Sequence, residues 1–297
     1  MSPLVSVGVV TYNQLGFLKE CVSSVIAQDY PNIEIIIGDD GSTDGTREYL
    51  HALAKEFPGK IVLIISGTNR GVTANHNEVY FRCRGKYIAW LGGDDIMLPG
   101  KIRKQVDFME SNPACAICYH NLEVFDSATG RTIGLFNNRC RPDGGIQTLI
   151  RLGTFNGACS TMVRRDSAPA SGFNPMLRVA SDWLFWCETL AAGGSINYID
   201  EVLGRYRRHA GSVTAQRRRS NNIGQNESDH LVTCILLLVK FPRNTRDVRL
   251  ILSENIFRIR RVVDYYQALV FSLRLNVNWK ALVSLVVYLL TFRHIRL

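Results

Sequence analysis

Residues 33–45 read IEIIIGDDGSTDG: an apolar, β-branched run that stops at an acidic pair, Asp39-Asp40, and a turn-forming Gly41-Ser42-Thr43-Asp44. Such a run closed by turn residues predicts a buried strand with its functional groups at the carboxyl end. The same grammar recurs on both sides of it. Val5–Val10 ends in Thr11-Tyr12-Asn13, Ile61–Ile65 leads to Asn69-Arg70-Gly71, and Tyr87–Leu91 ends in Gly92-Gly93-Asp94-Asp95. Helical spacing fills the intervals. Leu18, Cys21, Val22 and Val25 share a face in Leu15–Ala27, as do Leu50, Leu53 and Ala54 in Thr46–Phe57. In Val72–Cys83, Val79 and Tyr80 stand opposite polar positions. Alternating βα units with continuously apolar strands predict an α/β fold, with a mainly parallel sheet covered on both faces. Ligands in such sheets bind outside the carboxyl ends of the strands.

Two acidic pairs therefore converge on one sheet edge. Like charges held together need a cation or hydrogen-bond donors to offset them. For either pair alone a plain Asp-Gly-Ser turn or a helix cap is an equal reading; both pairs together, each after a strand, favour a binding site. No G-x-G-x-x-G turn follows the first strand, and no glycine-rich loop ends in Gly-Lys-Ser/Thr. Hydride-transfer enzymes and NTPases are thereby disfavoured.

Composition narrows the class further. The chain has 297 residues, 46% of them hydrophobic, with no low-complexity stretch or fixed-period repeat. Its N-terminus, MSPLVSVGVV, reads as a strand and not as a signal peptide. The eight cysteines (21, 83, 115, 118, 140, 159, 187, 234) are scattered through apolar segments, as buried thiols in a reduced cytosolic compartment are. Cys115-x-x-Cys118 with His120 has no second ligand pair at zinc-finger spacing and reads as alternating strand residues. The net charge of +9 is uneven: 17 basic against 5 acidic residues from Gly204 onward, and 18 against 21 before it. An acidic front and a basic tail imply different partners.

With these residues in place, the sequence resembles the large family 2 of inverting glycosyltransferases with the GT-A fold, from about Val5 to Ser212. Six motifs occur in the family's order: VSVGVVTYN, SVIAQDYPNIEIIIGDDGSTDGT, NRGVTANHN, GKYIAWLGGDD with Pro99 soon after, GFNPMLRVASDWLFWCETL, and YRRHAGSVT. The resemblance implies a Rossmann-like GT-A domain over 1–214 and a helical, basic extension over 215–297. It implies a nucleoside-diphosphate-sugar donor, UDP-linked, with Thr11 and Tyr12 lining the base pocket and Asp40 accepting from the uracil imide. Asn13 and Asn69, after the first and third strands, join that donor site. Asp94-Asp95 resembles the metal-binding motif, with Asp95 expected as the direct ligand of Mn2+ or Mg2+, hard ions that prefer carboxylate and phosphate oxygens.

Two departures stand out. Gly92 occupies a position where the commonest family form has another aspartate, which weakens the expected metal site. His76 stands where many relatives have arginine near the diphosphate, and reads either as a diphosphate contact or as a helix-surface residue. Asp182, by its own chemistry, would read as a helix cap. The family's Glu-Asp motif falls there as Ser181-Asp182, which implies that Asp182 is the catalytic base taking a proton from the acceptor hydroxyl. His209 and Arg207 fall where part of the family closes the active site, implying contact with metal or diphosphate; a surface histidine is the other reading.

Beyond about Thr214 the resemblance fades. QRRRS (216–220) and a polar linker, SNNIGQNES (220–228), precede helical patterns at His230–Val239, Val248–Leu275 and Trp279–Phe292. The last contains ALVSLVVYLLTF between Lys280 and Arg293, His294 and Arg296, too short to span a bilayer but suited to an anionic membrane interface. Packing on the core or on a second copy is the alternative. No nucleic-acid-binding motif accompanies the basic tail. The expectation is a cytoplasmic enzyme, peripheral at the inner face of the cytoplasmic membrane, acting on a glycan or lipid-linked glycan. A non-catalytic nucleotide-sugar-binding scaffold and a sugar-phosphate nucleotidylyltransferase are the competing functions.

Overall fold

The computed structural model describes residues 2–138, 141–212, 224–260, 263–291 and 295–296. Four βα units open the chain. Strands β1 (Val5–Thr11), β2 (Ile33–Asp39), β3 (Ile61–Ile65) and β4 (Tyr87–Gly92) alternate with helices α1 (Leu15–Ile26), α2 (Thr46–Glu56) and α3 (Val72–Arg82). Each boundary lies within one residue of its sequence expectation. The strands read as apolar runs because β1 and β2 are buried along nearly their whole length. Val5, Val7, Val9, Ile35 and Ile37 pack on one face with Leu18 and Val22 of α1, while Ile36, Ile88 and Trp90 pack on the other with Val79 of α3.

Among the described residues the sheet has nine strands in the order β3-β2-β1-β4-β8-β6-β9-β5 with β7 on β6, where β5 is Ile96–Met97, β6 Cys115–Asp126, β7 Thr132–Leu135, β8 Met162–Arg164 and β9 Ser195–Arg208. β1 pairs in parallel with both β2 and β4, so the strand order reverses there. Loops leaving β1 and β4 in opposite directions open a crevice at such a switch point. The second half, β5 to β9, is mixed and not parallel. β8 runs antiparallel between β4 and β6, whereas β9 pairs parallel to β6 and antiparallel to β5. That last pairing carries Arg207 and the residues after it back over the first half. Helices α4 (Lys101–Ser111), α5 (Ile146–Leu152) and α6 (Asp182–Thr189) cover this half.

Among the described residues four α-helices follow: α7 (Gln225–Lys240), α8 (Thr245–Ile259), α9 (Tyr265–Leu275) and α10 (Trp279–Leu290). The polar linker is thus shorter than its composition suggests, because Gln225–Ser228 already form the first turn of α7. The expected helix Val248–Leu275 is two helices, since Asp264 caps a new start by accepting from the Gln267 amide. Cys234 and Leu237 of α7, with Val248 and Ile251 of α8, enter the same core as Trp183 and Leu184 of α6. The helical region therefore shares the α/β core instead of standing apart from it. The boundary at 214/215, the run 216–220, Cys140, Arg293 and His294 lie outside the described residues. Among those described, the seven remaining cysteines are free and buried, and no helix is long and apolar enough to cross a membrane.

Candidate active site

A cleft of about 450 Å³ opens at the switch point. Its walls come from the loops after β1 (Thr11, Tyr12, Gln14), β2 (Asp40), β3 (Asn69, Gly71) and β4 (Gly93, Asp94). Gly211 and Ser212, which follow β9, close one side. The floor depends on close approach. A Cβ on Gly38 would stand 2.3 Å from Oδ1 of Asn75, whose amide donates to the Gly38 carbonyl at 2.9 Å, and one on Gly93 would stand 2.9 Å from Thr11. Isolated glycines in strands mark such approaches.

One end of the cleft is a laced pair of loops. Asp40 accepts from the backbone amides of Arg70 and Gly71, both at 2.8 Å, one on each oxygen. Each oxygen has a second lone pair, and Asp40 is one of the residues lining the cleft. Tyr12 is 44% exposed and presents its ring at the rim. Asn13 does not face the cleft. In a left-handed conformation (φ 50°), its amide donates to Ser42 Oγ and its Oδ1 accepts from the Thr43 amide. It ties the β1 and β2 loops together. Asp39, the other member of the first acidic pair, is buried, accepting from Ser42 and facing the Arg47 guanidinium at 3.5 Å.

The acidic pair after β4 is divided in the same way. Asp94 lines the cleft, and its Oδ2 lies 2.9 Å from Nε2 of His209. Asp95 is buried beneath it, Oδ1 accepting from the Arg207 amide at 2.9 Å and the carboxyl pairing with the Cys159 thiol. Burial, and then the Asp94 charge, push the Asp95 carboxyl well above the usual carboxylate range. Asp95 thus holds the loop through the Arg207 amide while Asp94 is the member of the pair that lines the cleft, where sequence marked Asp95 as the direct ligand. Gly92 has a structural reason: a Cβ there would stand 2.7 Å from Asp94 Oδ1. The glycine makes room for this Asp94 orientation.

Arg207 is also spent on structure. Its side chain is buried, with Nε donating to the Asp94 carbonyl at 2.7 Å and Nη2 to Glu20 at 2.5 Å. The guanidinium lies against the rings of Phe17 and Phe125. It braces the acidic loop instead of reaching into the cleft. His76 is not among the residues lining the cleft. It packs against Trp90 and Phe173, its Nδ1–H donates to the Val72 carbonyl at 2.9 Å, and burial holds its pKa below the ordinary value.

Asp182 begins α6, with Oδ1 accepting from the Trp183 amide at 2.9 Å. Desolvation raises its pKa to about 6. Its neighbour Ser181 lies 3.0 Å from Thr73 Oγ1 of α3, and α3 starts beside the cleft at Gly71 and Val72. The sequence reading missed Gln14, Asn75, Glu20 and Phe17. Gln14 and Asn75 carried a weak signal, since each sits in the first turn after a cleft loop. Glu20 and Phe17 carried none, because their partner Arg207 is remote in sequence.

Residues 6–170, more than half of the chain, match the glycosyl transferase family 2 profile. The chain belongs to this family. It is a family 2 glycosyltransferase with a GT-A fold. An uncharacterized protein of Mycobacterium tuberculosis H37Rv is 30% identical over 207 residues, covering 69% of this chain and 58% of its own length. The chain thus spans well under two thirds of that relative. The UDP-Glc:α-D-GlcNAc-diphosphoundecaprenol β-1,3-glucosyltransferase WfaP of Escherichia coli is 29% identical over 259 residues, covering 83% of this family 2 chain and 98% of WfaP. Among solved structures, Staphylococcus aureus TarS 1–349 in complex with UDP-GlcNAc superposes with a TM-score of 0.70 at 15% identity, covering 98% and 88% of the two chains. A Pyrobaculum calidifontis mannosyltransferase, in complex with GDP-Man and Mn2+, gives 0.61 at 14%, covering 98% and 81%. At these identities the likeness shows the fold.

Proposed function

We propose that this glycosyltransferase moves a sugar from a UDP-sugar, with inversion, to a hydroxyl of a glycan or lipid-linked glycan acceptor. The observation that carries the reading is the cleft's polarity. Asp40, an acceptor suited to an imide N–H, follows β2, and Asp94, paired with His209, follows β4, on the other side of β1. Thr11, Tyr12 and Asn69 line the cleft around the donor, and Asn13 holds the first two loops in register. WfaP, whose name states a UDP-sugar donor and a lipid-diphosphate acceptor, matches over nearly its full length and supports this choice.

A divalent ion fits the residues present, provided the donor completes its shell. Among the described residues no three acidic, histidine or cysteine side chains converge on one point. Asp94 and His209 supply a carboxylate and an imidazole side by side, and a hard ion takes its remaining ligands from diphosphate oxygens and water. Mn2+ or Mg2+ bound there would neutralise charge on the departing nucleotide. Asp94 and His209 are the proposed ligands, with Asp95 and Arg207 fixing the loop that presents them.

Asp182 is the proposed base. A carboxylate with its pKa raised to about 6 is ionised at neutral pH yet more basic than an exposed one. It would accept the proton of the acceptor hydroxyl as that oxygen attacks the anomeric carbon. Membership of the family removes nucleotidylyl transfer from consideration.

Residues 1–214 would carry this chemistry, and 215–297 would hold the enzyme at the inner face of the cytoplasmic membrane. Support for the second part comes from α10, whose Trp279, Leu282, Val283, Val286 and Leu290 are each at least 45% exposed. The exposed basic residues Arg258, Arg274 and Lys280 belong to α8, α9 and α10. Incubation with Mn2+ and a panel of nucleotide sugars, with and without glycan and lipid-diphosphate-linked acceptors, tests the function through nucleotide release. Acceptor-stimulated release of UDP is expected; absence of binding and turnover with every donor would overturn it.

A further inference from the structure

Helix α7 reaches back from the C-terminal region to the loop that precedes Asp182. Its Asp229 is 1% exposed. Oδ2 accepts from the backbone amides of Val179 and Ala180, at 2.7 and 2.9 Å, and Oδ1 accepts from Gln225 Nε2 at 2.8 Å. A carboxylate is stable out of water only when donors meet its lone pairs. Two of the three donors here are loop backbone, so the carboxylate and the loop conformation are mutually dependent. From the opposite side the Thr73 hydroxyl of α3 donates to the Leu177 carbonyl and lies 3.0 Å from Ser181 Oγ. The segment 177–181 is thereby gripped between a helix of the nucleotide-binding half and a helix of the C-terminal region. α7 is fixed to α6 independently, by Lys240–Glu188 at 2.7 Å and by His230 against the Trp183 ring.

We propose that Asp229 is a positioning residue for sugar transfer: its carboxylate sets the 177–181 backbone so that Asp182 meets the acceptor hydroxyl. The proposal rests on Asp182 being the base. It makes α7 part of the transfer site, although α7 lies outside the family match and outside the cleft. Geometry is the means. Small displacements of a base from its proton lower turnover by about 100-fold while leaving the remote binding of the donor intact. The asparagine isostere is informative, because its Oδ1 accepts the same two amides while its Nδ2 donates to Gln225 once that amide turns over.

The test uses the full chain in Asp229→Ala, Asp229→Asn and Asp182→Asn forms. Turnover is measured on the donor and acceptor pair that the parent uses fastest, UDP affinity by calorimetry with Mn2+, and amide exchange at residues 179 and 180. Asp229→Ala is expected to lower kcat by about 30-fold or more, with UDP affinity within about twofold and faster exchange at both amides. Asp229→Asn should restore kcat to within about threefold of the parent. Full kcat in the alanine variant, equal losses in both variants, or a matching loss of UDP affinity would each overturn the proposal. If Asp182→Asn itself turns over normally, the base assignment fails instead, whatever the Asp229 variants do.

Discussion

Asp94 Oδ2 and His209 Nε2 lie 2.9 Å apart across 115 residues of sequence, joining the end of β4 to the segment after β9. Asp95, one residue from Asp94, takes no part in that pairing and is buried beneath it. The two neighbouring carboxylates therefore have separate tasks. Asp94→Asn and His209→Ala are each expected to weaken Mn2+-dependent UDP binding by about 10–100-fold, as changes at or beside a metal ligand do. Asp95→Asn should bind within a few-fold of the parent. Asn is isosteric with Asp, and its Oδ1 can still accept from the Arg207 amide. Calorimetry with and without EDTA separates the cases, and a larger defect in Asp95→Asn than in Asp94→Asn would reverse the assignment.

Gly92 gives a second expectation, contrary to what family pattern alone suggests. Introducing the aspartate common in the family, Gly92→Asp, places a Cβ 2.7 Å from Asp94 Oδ1. Contacts under 3.0 Å force a shift, and here the shifted group is the cleft carboxylate. Activity and Mn2+-dependent UDP affinity should fall by about tenfold or more, as after loss of a precise site geometry. A gain in affinity would show that Asp94 relaxes into a better ligand position.

How far the sequence carried this reading depends on sequence distance. β1 to β4 and α1 to α3 were legible to within a residue because each is a local apolar pattern ended by turn residues. The cleft loops were legible for the same reason, since chemistry follows each strand. What stayed hidden is long-range. Nothing near Arg207 announces that its guanidinium is taken by Glu20 and the Asp94 carbonyl, so its charge read as free for phosphate. His76 reads in the sequence as a diphosphate contact or a helix-surface residue, and nothing local announces that Trp90 and Phe173 pack against it. Which carboxylate of Asp94-Asp95 faces outward is a backbone direction, and residue type does not encode it.

The environment of Asp182 makes a pH expectation with a definite sign. Desolvation raises its pKa to about 6, so the base form is lost as pH falls through that value. kcat/KM should drop about tenfold per pH unit below about pH 6. The same shift acts on stability in the opposite sense to a salt-bridged carboxylate. The folded state holds this proton more tightly than the unfolded chain, so the contribution is fully present below about pH 4 and is lost as pH rises through about 6. At neutral pH the buried charge costs on the order of 2–3 kcal/mol. Asp182→Asn should therefore abolish transfer while raising Tm above pH 6, with no such gain below pH 4. A pH-independent change in Tm would argue that the carboxylate is not desolvated.

The exposed face of α10 carries the last expectation. Ala281, Ser284 and Tyr288 pack inward on Tyr265 and Leu269 of α9, which turns Trp279, Leu282, Val283, Val286 and Leu290 outward. A contiguous exposed apolar stripe of this kind marks an interaction surface. Arg258, Arg274 and Lys280 favour an anionic bilayer, at about 1 kcal/mol for each basic residue near the surface. Sedimentation with vesicles of phosphatidylglycerol and phosphatidylcholine should recover the full chain, and pure phosphatidylcholine should recover far less. Binding should fall with salt as the Debye length shortens. Leu282→Asp combined with Val286→Asp should release the protein while leaving turnover on a water-soluble acceptor unchanged. If the double variant instead converts a dimer to a monomer in ultracentrifugation, with vesicle binding absent in the parent, the stripe is a subunit interface and the membrane reading fails.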